Sequence, residues 1–358
     1  LKWNIGWGTI ADCNMKCEFC YSYSTRKDVK QLGLDDWLLF VDNNYKSINS
    51  INYGTGENSL SKEWFSLVKY IGENYNFIKQ ALTTNGYLYE SLMSNEEYKD
   101  IVCKYISEID ISLDFCNRER HNQFRGNNKA YDWVIHLLQF CQKNIIKSTI
   151  VFLSTNETLQ TENLEGIFEV AKCYGAILRS NIYRPIGGVN EYTKKFIVDY
   201  KVILDALKWI GDHHKVVSLS DPLMASILTK NHFKYDPSGS ESIRILSDGS
   251  ITPSTYLISE NFRKYNIKDK NVLEKINITN LGISNTLPEA CKDCKYCKTC
   301  KGGVLDRRYL WYSSFDQRDP YCPFNDGNYE PDFIIKISNE ENFSSVHDGY
   351  LPTMFFSV

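Results

Sequence analysis

Cys13-Asn14-Met15-Lys16-Cys17-Glu18-Phe19-Cys20-Tyr21 sets three thiols at C-x3-C-x2-C spacing, directly after an apolar, strand-like opening from Trp3 to Thr9. A cubane iron-sulfur cluster has four irons, so three thiolates from one short loop hold three of them and leave the fourth open to a chelating ligand. A zinc half-site would normally offer C-x2-C pairs, and three unrelated buried thiols are the other plain alternative. From that opening strand to about Gly187, short β-branched or aromatic runs alternate with longer helical patterns, the signature of parallel βα units.

Strands are expected at Trp3 to Thr9, Ser47 to Tyr53, Lys79 to Thr84, Glu108 to Leu113, Ile145 to Leu153 and Ile177 to Tyr183. Helices are expected near Asp35 to Tyr45, Ser61 to Asn74, Asn95 to Tyr105, Ala130 to Lys143 and Thr161 to Tyr174. Six such units are too few for a closed eight-stranded barrel, so the expected fold is α/β, a partial (β/α)6 TIM barrel with its chemistry at the carboxyl ends of the strands. The barrel takes residues 1–190 and bridging helices take 191–232, where Ile203, Leu204, Leu207 and Ile210 make an apolar stripe in a helical run from Lys201 to Lys230. His213-His214 reads as a solvated helix end, because adjacent helical residues face different directions. Residues 233–322 form a thiol-rich domain and 323–358 a tail, with a strand-like piece from Asp332 to Ser338 and an apolar end, Met354-Phe355-Phe356, that packs on the protein.

Composition narrows the partners. A net charge of −3 over 358 residues, with mixed signs throughout, argues against a nucleic-acid or membrane-surface protein. There is no run long enough to cross a bilayer and no secretory start, so a cytoplasmic location is expected. The chain opens at Leu1 already in a strand pattern, which leaves room for a leader-binding segment ahead of it. Eight of the twelve cysteines fall between Cys13 and Cys20 or between Cys291 and Cys322, with Cys103, Cys116, Cys141 and Cys173 scattered between. Clustered thiols in such a chain read as metal ligands, and scattered ones as small buried hydrophobes.

Cys13, Cys17 and Cys20, with the aromatic Phe19, resemble the signature of the radical SAM enzymes. The resemblance implies that S-adenosylmethionine (SAM) chelates the open iron of a 4Fe-4S cluster, and that an electron from the cluster releases methionine and a 5'-deoxyadenosyl radical. Tyr53-Gly54-Thr55-Gly56-Glu57 resembles the family's Gly-Gly-Glu element with Thr55 interposed, which implies close passage of Gly54 and Gly56 past SAM and contact of Glu57 with its ammonium. The plainer reading of Glu57 is a carboxylate preceding the helix at Ser61. Asn85, in Thr84-Asn85-Gly86, is a further candidate SAM contact, or only part of a turn. Ser112 matches the family's serine at the ribose and carboxylate of SAM, and Arg125 of His121-Asn122-Gln123-Phe124-Arg125-Gly126 matches an assisting arginine. Arg179 points into the barrel if Asn181 and Tyr183 do, to meet a carboxylate of SAM or substrate, or to make a structural ion pair.

Cys291, Cys294, Cys297 and Cys300, followed by Gly302-Gly303 and Cys322-Pro323, supply five thiols for one metal site. Cys291, Cys294, Cys300 and Cys322 resemble the second auxiliary cluster of the SPASM domain of radical SAM peptide maturases, which implies a four-cysteine 4Fe-4S cluster. Cys297 is the alternative ligand to Cys300, and a zinc site from two C-x2-C pairs is the competing reading. Upstream, Ser220-Asp221-Pro222-Leu223 and Ile243 to Ser254 follow the same family's pattern. Where that family has further cysteines, this chain has Ser238 or Ser240, Ser254 and Val304, so its first auxiliary cluster is expected to be missing.

The resemblance implies a maturase of a ribosomally made precursor peptide that closes a C-C or C-S cross-link. A separate leader-binding protein and an electron donor such as flavodoxin or ferredoxin would be its partners. A sulfatase-type maturase would place an Asp base at Ser254 or Thr255, which cannot serve. Peptide epimerisation would need a thiol donor, for which Cys116 is the candidate, and small-molecule tailoring is the remaining alternative.

Overall fold

The computed structural model describes residues 2–23, 30–230, 232–284, 286–338 and 343–358. Six strands, β1 (Trp3–Trp7), β2 (Ile48–Tyr53), β3 (Lys79–Thr84), β4 (Glu108–Ser112), β5 (Lys147–Ser154) and β6 (Ile177–Ile182), pair in parallel and in sequence order. Helices α1 (Leu34–Asn44), α2 (Lys62–Asn74), α3 (Leu88–Ser94), α4 (Glu96–Tyr105), α5 (Arg118–Arg125), α6 (Ala130–Lys143) and α7 (Thr161–Tyr174) connect them. The α/β expectation holds, and β3, α6 and α7 keep the expected bounds. The short α3 was not anticipated.

Strand alternation explains the packing. Trp3, Ile5 and Trp7 are buried under the helices, where the Trp7 ring meets Phe40 of α1 edge-on at 5.3 Å. The opposite face of β1 carries Asn4 and Gly6, and a Cβ on Gly6 would overlap the Tyr350 hydroxyl, so glycine here makes room for a side chain arriving from the far end of the chain.

The run from 191 to 232 departs from the bridging-helix expectation. It holds α8 (Glu191–Lys194), α9 (Tyr200–His213), β7 (Lys215–Leu219) and α10 (Pro222–Leu228). Lys215-Val216-Val217-Ser218-Leu219 is β-branched and nearly all buried, so it works as a strand and stops the helix at His213. The helix-end reading of the histidine pair agrees with the structure: His213 is exposed, and His214 stacks on Phe168 at 3.7 Å.

The remaining elements are β8 (Ser242–Ile245), β9 (Ser250–Thr252), β10 (Tyr265–Asn266), α11 (Val272–Lys275), α12 (Cys297–Cys300), α13 (Leu305–Tyr312) and β11 (Met354–Ser357). They complete one sheet in the order β10-β9-β8-β1-β2-β3-β4-β5-β6-β11-β7. β8 lies parallel to β1, and β11 slots antiparallel between β6 and β7. Both edges of the six-stranded core are thereby covered, which satisfies backbone groups that an open sheet would leave unpaired. The tail is thus a structural member of the sheet. Its piece from Asp332 to Ser338 forms an isolated bridge, Ile337 to Val216, and the Ile335 N–H donates to the Leu228 carbonyl at 2.7 Å. Among the described residues, no helix is long and apolar enough to cross a membrane.

Candidate active site

The carboxyl ends of β1 to β6 open on one cleft of about 1140 Å³, its mouth included. Cys13, Cys17 and Cys20 line one wall, beside Gly54, Gly56, Asn85, Ser112 and Arg125. The loop after β1 is held there by aromatic packing: Phe19 stacks on Phe124 at 4.4 Å, with the Arg125 guanidinium 5.0 Å from the Phe19 ring. Asn85 Nδ2 lies 3.6 Å from Cys13 Sγ and donates to Asn14 Oδ1 at 2.8 Å. Cys17 Sγ approaches the Arg125 carbonyl at 3.5 Å. Burial pushes the Cys17 thiol up, and the Arg125 charge pulls it back toward the thiolate.

These residues fit a cubane cluster with one open iron. Three soft sulfur ligands share a wall that is otherwise largely apolar and carries an N–H donor near Cys13. A closed structural zinc site needs a fourth protein ligand, and among the described cleft-lining residues there is no fourth thiol and no carboxylate; the one imidazole, His347, is at hydrogen-bond range of Thr83 on β3.

Glu57 takes a different place from the one expected of a SAM ligand. It is fully buried beneath the cleft lining, where its carboxylate accepts from Ser59 Oγ (2.6 Å), Thr84 Oγ1 (2.9 Å) and the Asn85 backbone N–H (2.9 Å). Burial raises its pKa, against the pull of those donors. Its visible work is to brace the turn that presents Asn85. Thr55, between the two glycines, holds φ at 85° and places its hydroxyl 3.0 Å from the Tyr21 hydroxyl. A β-branched residue in that region stores local strain, on the order of 1–3 kcal/mol, on the cleft wall.

Arg179 lines the cleft and is ion-paired with Asp110 at 2.6 Å, the structural-pair alternative. Arg125 pairs with Asp114 at 2.6 Å and Arg184 with Asp306 at 2.9 Å. Cys116 lies outside the cleft lining: its Sγ faces Gly166 of α7, where a Cβ would come within 2.3 Å of it. Sequence reasoning missed Arg244, Tyr256, His347 and Tyr350, all of which line the cleft. Arg244 donates to the Gly54 carbonyl from β8, and the Tyr350 hydroxyl lies 2.5 Å from Thr255 Oγ1. The available signal was the strand pattern of Met354-Phe355-Phe356, which ties down the residues just before it.

Cys291, Cys294, Cys297, Cys300 and Cys322 line a second, tighter pocket of about 320 Å³ with Pro323. Burial pushes the Cys300 thiol far up and those of Cys291 and Cys322 up as well, so neutral thiols are favoured until a cation takes the protons' place. Gly303 is required by close approach, since a Cβ there would come 2.4 Å from Asp319 Oδ2. Arg307 joins this pocket to the barrel by pairing at once with Asp319 (2.6 Å) and Asp221 (2.7 Å). Ser254 donates to Asp306 Oδ2 at 2.7 Å, and Val304 is buried.

Residues 8–164 match the Radical SAM superfamily. The chain is 27% identical over 206 residues to the AdoMet-dependent heme synthase of Methanosarcina barkeri, in a match covering 56% of this chain and only about half, 56%, of that relative. It is 24% identical over 364 residues to the cysteine-type anaerobic sulfatase-maturating enzyme of Clostridium perfringens, covering 91% of this chain and 95% of that one. Among solved structures, Streptococcus suis SuiB bound to precursor peptide SuiA superposes with a TM-score of 0.68 at 17% identity, covering 89% of this chain and 75% of that one. That likeness is one of fold.

Proposed function

We propose that this chain, whose residues 8–164 match the Radical SAM superfamily, is a radical SAM enzyme that matures a ribosomally made peptide, lifting a hydrogen from the substrate and closing a C-C or C-S cross-link. One observation carries the reading: the three thiols of the first loop share a cleft, at the carboxyl ends of the parallel strands, with Asn85, Ser112 and Arg125. When bound at Cys13, Cys17 and Cys20, a 4Fe-4S cluster supplies the electron that splits SAM into methionine and the 5'-deoxyadenosyl radical.

The chain's own residues bind, orient and seal. Gly54 and Gly56 let backbone approach the cofactor, Ser112 and Arg125 offer a hydroxyl and a cation to its polar end, and Phe19 holds the thiol loop shut. Cys291, Cys294, Cys300 and Cys322 would hold an auxiliary 4Fe-4S cluster, with Cys297 in reserve. A flavodoxin or ferredoxin would deliver electrons in the cytoplasm, and a leader-binding partner would present the peptide. The peptide reading is supported by the likeness to a sulfatase-maturating enzyme and to a structure solved with a precursor peptide.

Protein reconstituted without oxygen and given reductant and SAM should yield 5'-deoxyadenosine, and a co-expressed peptide encoded beside its gene should lose two hydrogens by mass. No 5'-deoxyadenosine would refute the radical reading, and an unchanged peptide would refute the substrate. Small-molecule tailoring is the second reading, favoured by the match to the heme synthase; it predicts 5'-deoxyadenosine with the peptide untouched.

A further inference from the structure

The geometry points to a proton relay in the cleft wall, Asp110–His347–Thr83, that takes a proton from the substrate. His347 Nδ1 lies 3.0 Å from Asp110 Oδ2 and 3.5 Å from Glu108 Oε1, and its Nε2 lies 3.3 Å from Thr83 Oγ1. His347 and Asp110 are fully buried, whereas Thr83 is partly exposed, and Thr83 and His347 line the cleft. The order carboxylate, imidazole, hydroxyl, open space is that of a relay: the Nδ1–Asp110 contact is close without hydrogen-bond alignment, and the two carboxylates on that side favour the proton on Nδ1.

Elimination supports the same residue. No Asp or Glu lines the cleft among the described residues, and His347 is its one imidazole. The arginines there cannot accept a proton, and burial raises the Tyr21 and Tyr256 phenols further from ionisation. Thr255 and Ser254 are already engaged, with Tyr350 and Asp306.

The inference rests on the proposed function: of the two hydrogens a cross-link replaces, one leaves as an atom to the 5'-deoxyadenosyl radical and the other as a proton, its electron passing to a one-electron acceptor, an iron-sulfur cluster of the class proposed for the second thiol pocket. In the step assigned here an X–H bond of the substrate breaks toward Thr83 Oγ1 while the Thr83 proton passes to His347 Nε2. One O–H bond is remade and one N–H bond formed. Asp110 and Glu108 stabilise the resulting imidazolium, each already balanced by a cation, Arg179 at 2.6 Å and Lys147 at 3.4 Å. Asn52 Oδ1, 3.3 Å from Thr83 Oγ1, is the alternative acceptor that lets the hydroxyl rotate, and the Tyr350 ring closes the remaining side at 6.1 Å.

Two measurements test the relay. In the protein labelled with 15N-histidine, two-bond proton-nitrogen correlation at pH 8 should show His347 as the Nδ1–H tautomer; a proton on Nε2 overturns the assignment. With the reconstituted enzyme and the peptide encoded beside its gene, His347→Gln and the near-isosteric Thr83→Val should keep 5'-deoxyadenosine formation while cross-linked product falls about 100-fold. Product at wild-type rate in either variant, or equal loss of 5'-deoxyadenosine and product in both, overturns the relay. A wild type that makes no 5'-deoxyadenosine refutes the proposed function and leaves the tautomer to decide the relay.

Discussion

Arg184 Nε sits 2.9 Å from Asp306 Oδ1 with both side chains buried, which bolts the end of β6 to the helix that follows the second thiol group. The same aspartate accepts from Ser254, the position where SPASM relatives are expected to carry a cysteine. The cleft and the second pocket therefore share one polar frame, completed by Arg307 between Asp221 and Asp319.

Removing one partner of a buried pair leaves an uncompensated charge, which costs about 3–5 kcal/mol. Asp306→Ala should lower the unfolding free energy by that amount, read as a fall in the denaturant midpoint at unchanged m, and loosen both thiol sites. Replacing both Arg184 and Asp306 by Met and Leu should recover much of the loss. If the single variant unfolds at the wild-type midpoint, the pair does not hold the two sites together.

Glu57 distinguishes a brace from a ligand. Burial raises its folded-state pKa, so its contribution is greatest below the ordinary carboxylate value and is lost as pH rises through the raised one. Glu57→Gln, which still accepts hydrogen bonds, should remove that pH slope and match or exceed wild-type stability at pH 7. Glu57→Ala leaves three donors without an acceptor and should cost about 1–3 kcal/mol for each left unsatisfied. Denaturation of the three proteins between pH 4 and 8 checks the order.

Asp110 has the opposite sign. Burial opposes its charge, yet His347 and Arg179 hold its pKa down to about 2. Its stabilisation is present above the unfolded value of about 3.9 and is lost as pH falls toward 2. Acid titration followed by circular dichroism should show the wild type losing stability in that window. Asp110→Asn should be less stable at pH 7, with Arg179 left unpaired, and flatter below pH 4.

The second pocket carries one thiol more than a cubane needs. Cys300 is buried and Cys297 half-exposed, so Cys300→Ala should lose about four irons per chain after anaerobic reconstitution and Cys297→Ala should keep them. Equal loss in both would mean that the two thiols exchange as ligands.

Cys116→Ala should leave product formation unchanged, because its Sγ faces Gly166 and lies away from the cleft. Loss of turnover with 5'-deoxyadenosine intact would restore the hydrogen-donor role.

The thiol loop, the alternation of strands and helices, and the second thiol group were legible because each is a local pattern, carried by residues a few positions apart. One feature of the sequence reading needed the fold to correct it, the helix expected from Lys201 to Lys230, because β7 gains its stability from β11, and β11 lies more than a hundred residues downstream. For Glu57 the fold adds what spacing cannot say, namely toward which side its donors lie.

By itself the sequence determined the α/β class, the metal chemistry implied by its cysteines and the end of the sheet where that chemistry sits, since spacing and periodicity act within one or two elements. Only the tertiary structure decided how the cleft is closed and charged. Thr83 and His347 are 264 positions apart, and Arg244 reaches Gly54 across 190. Such contacts exist because two sheet edges had to be covered, and the strands that cover them bring their neighbours into the cleft.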